Sequence, residues 1–491
     1  MQEKITNENL SRRVIKGGFW VFLLRIVRQF LSFGKLIILA RILSPDDFGL
    51  LGIALLTIAT LGTFSSTGFQ QALIQRKEDI SSYLDSTWTF LIFRGFFLFV
   101  TLYFIAPYVA VFFDAAGAKE IIRVTGFSVL IQPFTNIGII YFQKELEFNK
   151  QFIYQLSGTL VDFIVSVLAV LILKNVWSLV FGLLAGNMTR CFISYLIHSY
   201  RPRLAINFSK VKELFGFGKW VLGASILIFL ITQGDDIFVG KLLGITALGF
   251  YQMAYRISNM PATEITQVIS QVTYPAYSKL QDDIPRLREA YLKVLQLTTF
   301  FSFPIAGSIF ILGSDFTGLL LGGKWLPMIP AMQVLTWWGA VRSMAGVNSS
   351  ILQSVKRPDI ITKLSAIKLP ILAALLYPLA VKWGIIGVSI AVLTSALIIT
   401  PNTFYIVASR ILKSKMSIIF RTISVPLSGT IFMVLFLNFF NPGFLSISGL
   451  VLRITSGFIV YFVITYVIDK LSNQQMWYNI GNLVLTTIDK Q

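Results

Sequence analysis

Apolar runs of about 20 residues recur along almost the whole of this 491-residue chain, and each is long enough to cross the ~30 Å hydrocarbon layer of a bilayer as one helix. A backbone in hydrocarbon must satisfy its own hydrogen bonds, so a chain built this way spans membranes as packed α-helices. Cutting the sequence where charge, Pro and Asn/Asp/Gly clusters interrupt the runs gives about fourteen spans. They start near Gly17, Phe48, Tyr83, Ile121, Phe152, Val176, Leu214, Thr246, Ala290, Leu326, Ile361, Gly384, Ser417 and Ser448. The second, fourth, eighth and tenth are the least apolar. Hydrophobic residues make up 55% of the chain and charged ones 13%, which excludes an ordinary soluble fold. One cysteine, Cys191, and one histidine, His198, exclude an internal disulfide framework and a His/Cys metal cluster. With so few reactive side chains, the expectation is a non-enzyme that needs no cofactor.

Lys and Arg outnumber Asp and Glu by 42 to 23, an excess that in a membrane protein belongs in cytoplasmic loops and not on a nucleic-acid groove. The loops alternate accordingly. One side takes Arg12, Arg13 and Lys16, then Arg76 and Lys77, Lys144 and Lys150, Arg201 and Arg203, Arg286 and Arg288, Lys356 and Arg357, Arg410 and Lys413, and Lys470; the other holds Arg41, Lys119, Lys174, Lys241, Lys324 and Lys382. An even number of spans with both termini cytoplasmic follows. Trp20, Trp88, Trp177, Trp220, Trp325 and Trp383 fall near span ends, where indoles favour the membrane interface. After Gln474, a helical face of Met476, Trp477, Ile480 and Val484 suits an interfacial helix.

An internal repeat lies at an offset of two hundred. Gly18, Trp20, Val21, Ile26, Gly34, Ile37, Leu43 and Gly49 match Gly218, Trp220, Val221, Ile226, Gly234, Ile237, Leu243 and Gly249 without gaps, and Arg41 falls on Lys241. Six spans separate the copies, so the repeat is parallel, with its pseudo-twofold axis along the membrane normal. The expected architecture is two six-helix lobes plus two C-terminal helices: residues 1–208 with helices 1–6, residues 209–413 with helices 7–12, and residues 414–491 with helices 13–14 and an interfacial tail. Repeat-built transporters hold substrate between their repeats near mid-membrane.

An ionised side chain at mid-bilayer costs ~2.5–3.5 kcal/mol on insertion scales, so charges inside spans should face protein or a wet cavity. Arg25, Arg28, Ser32 and Lys35 fall within about 80° of one another on the first helix. Gln252, Arg256, Asn259, Thr263 and Gln267 form a second polar face on the eighth, and Arg342, Ser349 and Gln353 another on the tenth. Converging basic stripes favour a phosphate or diphosphate group. Arg25, Arg28, Lys35, Gln252, Arg256, Asn259 and Arg342 are therefore the candidate substrate ligands. For the isolated Arg94, Arg190 and Arg453, structural pairing or snorkelling is the better expectation. The acids Asp162, Asp235, Asp236 and Glu264 also lie inside spans, where each can bind a coupling cation, relay protons or pair with a nearby base. Asp235, Asp236 and Glu264 are the candidates for ion coupling, by H⁺ or Na⁺, or for gating through an ion pair.

The chain resembles the polysaccharide transporter branch of the multidrug/oligosaccharidyl-lipid/polysaccharide flippase superfamily, the Wzx-type exporters. The resemblance rests on Leu39 to Gly49 after the first span, Gly240 to Gly244 with Leu248 to Tyr251, Leu321 to Trp325, and Gln143 to Phe148. These look closest to the colanic and teichuronic acid exporter subgroup. The resemblance implies export of undecaprenyl-diphosphate-linked oligosaccharide across the bacterial inner membrane by alternating access. Membrane lipids, a polysaccharide polymerase and other assembly proteins are the implied partners. In the related flippases for peptidoglycan precursors, carboxylates of the seventh and eleventh helices bind a cation. Asp235 matches the first, but the eleventh helix here carries Lys368 and no acid. Two rival readings are a cation-coupled multidrug or metabolite antiporter of the same superfamily and a membrane glycan polymerase or ligase. The basic stripes disfavour the first, and the short outward loops the second.

Overall fold

The structure, a computed structural model, describes residues 7–75, 80–145, 147–440, 446–472 and 476–478, and those residues are mostly helical, with no strand among them. In chain order the helices are α1 (Asn7–Ile42), α2 (Pro45–Phe64), α3 (Phe69–Gln75), α4 (Ser81–Phe112), α5 (Ala118–Thr125), α6 (Phe127–Ile131), α7 (Ile140–Lys144), α8 (Phe148–Leu173) and α9 (Trp177–Ile197). They continue as α10 (Phe208–Leu242), α11 (Ile245–Leu280), α12 (Ile284–Phe316), α13 (Ile329–Ser354), α14 (Pro358–Ile406), α15 (Met416–Phe439) and α16 (Ile447–Ser472).

The architecture is that of an all-α, multi-pass membrane protein. Among the described residues eight helices are long and apolar enough to cross a bilayer, and the segment from α5 to α7 adds a ninth candidate as two pieces bent by 72°. One of the eight, α14, is two spans: Gly384 breaks its helical geometry at φ 57°, a conformation that glycine adopts without the clash of a Cβ. Four further long helices, α1, α10, α11 and α13, carry charges inside their expected spans: Arg25 and Arg28, Asp235 and Asp236, Arg256, and Arg342.

The motif after the first span makes a rigid corner. Ser44 caps α2, its hydroxyl accepting from the Asp47 amide while the Asp47 carboxylate accepts from the Ser44 amide. Pro45 occupies the first turn, where its missing N–H leaves no bond unmade. The second oxygen of Asp47 accepts from the Val176 amide at 2.9 Å and so ties this corner to the start of α9.

Gly49 and its repeat partner Gly249 stand at a reciprocal crossing. A Cβ on Gly49 would lie 2.2 Å from the Ile245 carbonyl oxygen, and one on Gly249 would lie 2.0 Å from that of Pro45. Pro45 and Ile245 are also repeat partners, so the contact is self-complementary, as a twofold axis requires. Thr246 donates to the Asp46 carboxylate beside it. The sequence repeat thus has a physical counterpart in backbone packed on backbone.

By packing, the chain divides into compact units Met1–Gly249 and Phe250–Gln491, with α10 in the first. In the second, Tyr291, Leu295, Val347, Ile351 and Phe404 centre one core, while Phe300, Met433, Leu437 and Tyr461 centre another. Of the tryptophans near span ends, Trp325 is fully buried and packs edge-on to Phe250, and Trp88 lines a cavity. The start of the tail is also internal: Met476 is buried, and the Met476 and Trp477 amides donate to the two oxygens of Asp469 at 2.9 and 3.0 Å. Ile480 and Val484 lie outside the described residues.

Replacing Gly49 or Gly249 by Ala should destabilise the protein by about 1–3 kcal/mol, because the added carbon meets a carbonyl that cannot rotate away. Thermal unfolding of the purified variants should show similar losses for the two. A loss at one site alone would contradict the reciprocal crossing.

Candidate functional site

Of the basic residues on α1, Arg25 is half-buried and Arg28 is exposed. Arg28 makes no hydrogen bond or ion pair with the described residues. Lys35 is engaged: its ammonium reaches both carboxylate oxygens of Asp162 on α8, at 2.9 and 2.7 Å. Both side chains are mostly withdrawn from solvent, at 19% and 21% exposure, so the pair gains more from mutual attraction than a surface pair would. The stripe read from the sequence therefore divides physically, with Lys35 neutralised by an acid and Arg28 left accessible.

The pair depends on the close packing of α8 and α9. A Cβ on Gly182 would lie 1.8 Å from Ser166 Oγ and 2.9 Å from Asp162, and one on Gly158 would meet the stem of Arg190 at 2.3 Å. Small residues let the two backbones approach, as membrane helix interfaces require. Arg190 donates to Asn187 Oδ1 at 2.9 Å and lies close enough to Tyr154, Asp162 and Arg28 to interact with each electrostatically. One polar layer thus joins α1, α8 and α9 inside the first unit.

In the second unit α11 and α13 approach at Gly339, where a Cβ would lie 2.6 Å from the Ser258 carbonyl oxygen. This brings Arg342 to Tyr255, whose hydroxyl accepts from it at 3.4 Å, and sets its guanidinium 5.2 Å from the centre of the Trp338 ring. A cation over an indole face is stabilised without an anion. On α11, Arg256 is exposed, Gln252 half-buried and Asn259 buried. Asp235 and Asp236 on α10 are buried, at 2% and 7% exposure. Glu264 lies within α11, but its side chain is outside the described ones. Among the described residues no group of His, Cys, Asp and Glu could hold a metal ion.

The isolated arginines are structural. Arg94 donates to the Ser65 and Gly62 carbonyls at 2.8 and 3.0 Å and to Ser65 Oγ at 2.8 Å, neutralising the carbonyl end of α2. Arg453 pairs with Asp315 and donates to the Leu437 carbonyl at 2.8 Å.

After α9 the chain runs as an extended strap along α4. Tyr200 and the Arg203 amide donate to Asp85 Oδ1 at 2.6 and 2.9 Å, the Ala205 amide to Thr89 Oγ1 at 3.0 Å, and the Asn207 amide to Ser86 Oγ at 3.0 Å. Burial and the bond to Asp85 push the Tyr200 phenol above its usual range. His198, at the head of the strap, stacks on Tyr141 and accepts from the Tyr200 amide at 3.0 Å. Burial and the nearby Lys150 push its pKa down, which keeps the ring neutral as that acceptor role requires. The strap was not foreseen from the sequence, although the spacing of Asp85, Ser86 and Thr89 marks a polar helix face.

Comparisons with known proteins agree with this architecture. A family described as "Polysaccharide biosynthesis protein" matches residues 38–330. The chain is 26% identical to the lipopolysaccharide biosynthesis protein WzxC of Escherichia coli (strain K12) over 83% of either chain. It is 25% identical to the teichuronic acid biosynthesis protein TuaB of Bacillus subtilis (strain 168), covering 60% of this chain and 61% of that one. Among solved structures, the lipid II flippase MurJ in an inward closed conformation superposes with a TM-score of 0.75 at 16% identity, covering 94% of this chain and all of that one. The fold is shared.

Breaking the Lys35–Asp162 pair by Lys35→Leu should cost on the order of 3 kcal/mol, since an acid is left desolvated without its partner. Adding Asp162→Leu should recover most of that loss. Equal, additive losses in thermal unfolding would mean that the two side chains do not act as a pair.

Proposed function

The chain belongs to the polysaccharide biosynthesis protein family, and from that premise we propose that it is a flippase for undecaprenyl-diphosphate-linked oligosaccharide. The observation that carries the reading is a cation inside a span that no acid neutralises. Arg28 lies on α1, exposed and without an ion pair among the described residues, one turn from Arg25. Keeping a guanidinium there costs a few kcal/mol, and a diphosphate is an anion whose oxygens several donors can meet at once.

The transport step follows from solubility. The diphosphate and its sugars cannot enter hydrocarbon unaided, whereas the polyprenyl chain is at home there. The protein need only shield the headgroup: in the first unit Arg25 and Arg28 are the candidates to meet the phosphates, and the second unit offers a like set in Arg256 and Arg342 with the neutral Gln252 and Asn259. Alternating access, expected from the sequence repeat of 1–208 and 209–413, would expose the headgroup to each leaflet in turn. No bond of the substrate is made or broken, so the protein is a transporter and not an enzyme. The bacterial relatives support the inner membrane as its place, and the loop charges support both termini in the cytoplasm. Polymerase and other assembly proteins would take the delivered repeat units.

Coupling enters through Asp235 and Asp236. A buried carboxylate is costly while charged and loses that cost on taking up a cation, H⁺ or Na⁺. Its occupancy therefore biases which side is open. The WzxC and TuaB names, which refer to lipopolysaccharide and teichuronic acid biosynthesis, support the substrate class.

Arg25→Ala with Arg28→Ala should abolish surface polysaccharide and accumulate lipid-linked repeat units at unchanged protein abundance. Normal polysaccharide in that strain would defeat the assignment. Asp235→Asn should make transport in vesicles indifferent to an imposed proton or sodium gradient, and an unaltered gradient response would remove Asp235 from coupling.

A further inference from the structure

The first unit contains a cavity of about 450 Å³ that the basic stripe does not account for. Its walls come from α3, α4, the bent segment between α6 and α7, and the first turns of α8. The volume lies within the ~300–1,000 Å³ typical of sites for small organic ligands.

Its chemistry is neutral and amphipathic. Gln70, Gln132, Gln143, Gln151 and Gln155 line it, and among the described residues no carboxylate does. The one charged group in the wall, Arg94, already gives its hydrogen bonds to the end of α2. A cation therefore finds no partner of opposite charge among the described lining, and an anion would have to share a guanidinium that already makes three hydrogen bonds. A primary amide both donates and accepts, which matches a hydroxyl group, also donor and acceptor at once. Trp88 and Tyr154 add aromatic faces with polar ends, suited to a ring with a C–H face and hydroxyl edges.

The wall also holds polar groups that the protein itself leaves unsatisfied. Thr87 Oγ1, Trp88 Nε1 and Gln151 Oε1 are buried with no hydrogen-bond partner, and Thr87 is 1% exposed. Such groups cost roughly 1–3 kcal/mol each in a folded protein. Three in the wall of one cavity suit a polar guest that small rotations of these side chains would engage.

Position supplies the rest. Tyr154 lies close enough to Arg190 to interact electrostatically, and Arg190 to Arg28; with α8 bonded to α1 through Asp162 and Lys35, a run of polar side chains leads from the amide-lined cavity toward the basic face of α1. The cavity also lies beside the strap that carries Arg201 and Arg203, on the side that the loop charges mark as cytoplasmic. A diphosphate followed by sugars presents the same order, anionic and then neutral.

We propose that this cavity is a saccharide subsite, which takes one or two sugar rings of the headgroup while the diphosphate lies on the Arg25–Arg28 face. Gln151, Gln155 and Gln132 supply hydrogen bonds to hydroxyls, and Trp88 and Tyr154 pack on the rings. The proposal rests on the flippase reading and deepens it, naming the part of the protein that senses the glycan and not its carrier.

The test compares two probes on the purified full-length protein: undecaprenyl diphosphate alone, and the lipid-linked intermediates extracted from a strain lacking this gene. Gln151→Leu with Gln155→Leu should weaken binding of the glycosylated lipid at least tenfold and change binding of undecaprenyl diphosphate less than twofold. Arg25→Ala with Arg28→Ala should weaken both. Gln132→Ala, at an exposed position of the wall, repeats the first comparison without disturbing the core. Because Gln151→Leu removes an unsatisfied acceptor, the unliganded variant should unfold at the same temperature or higher. Equal effects of the glutamine changes on both probes, no effect on either, or a lowered unfolding temperature with Gln151→Leu would overturn the subsite. Failure of the wild-type protein to bind either probe would instead overturn the flippase reading. If free monosaccharides compete as well as the lipid-linked form, the cavity serves free sugars and the proposal also fails.

Discussion

Hydrocarbon leaves a buried charge few options: an opposite charge, a helix terminus, an aromatic face, or contact with a polar guest. The intramembrane cations of this protein use most of them. Lys35 takes Asp162, Arg453 takes Asp315, Arg94 closes the end of α2, and Arg342 rests over Trp338. The first three arrangements also fix a pair of helices, so the requirement to neutralise charge doubles as a device for positioning them. Arg28 stands apart because it uses none of the first three among the described residues, and the functional reading starts there.

How far the fold was legible in the sequence depended on which interactions are local. Apolar runs and loop charges are local, and they led to the two spans of α14 as well as to the helix that is bent between Phe134 and Ile137. The offset of two hundred was legible because geometry holds both copies to the same residues at the crossing, where Gly49 meets Ile245 and Gly249 meets Pro45. In α1, α11 and α13 a polar face interrupts the hydrophobic one, and that departure was itself the signal of a candidate site.

Pairings distant in sequence were not legible. Lys35 and Asp162 lie 127 residues apart, and nothing in the spacing of either helix selects that partner over another. The surroundings of Trp88 and Trp325 were hidden for a related reason: an indole near a span end satisfies the interfacial pattern whether it faces lipid or protein, and only the neighbours decide. Trp325 is covered by its own unit, and Trp88 lies in the wall of the glutamine-lined cavity. The glutamines were missed because amides carry no charge and the search for a site followed charges.

Glycan transport gives that blind spot a physical meaning. A carrier diphosphate is common to every substrate of this chemical class, so contacts to it can supply affinity but cannot tell one glycan from another. Discrimination requires hydrogen bonds to particular hydroxyls, made by uncharged groups in a shaped space, because a site built to bond a hydroxyl rejects a sugar that lacks it. Charged stripes and amide-lined cavities therefore answer different demands on the same protein. Substitutions that retarget such a transporter to another repeat unit should collect in the wall around Gln151 and Trp88, while the arginines of α1 remain unchanged.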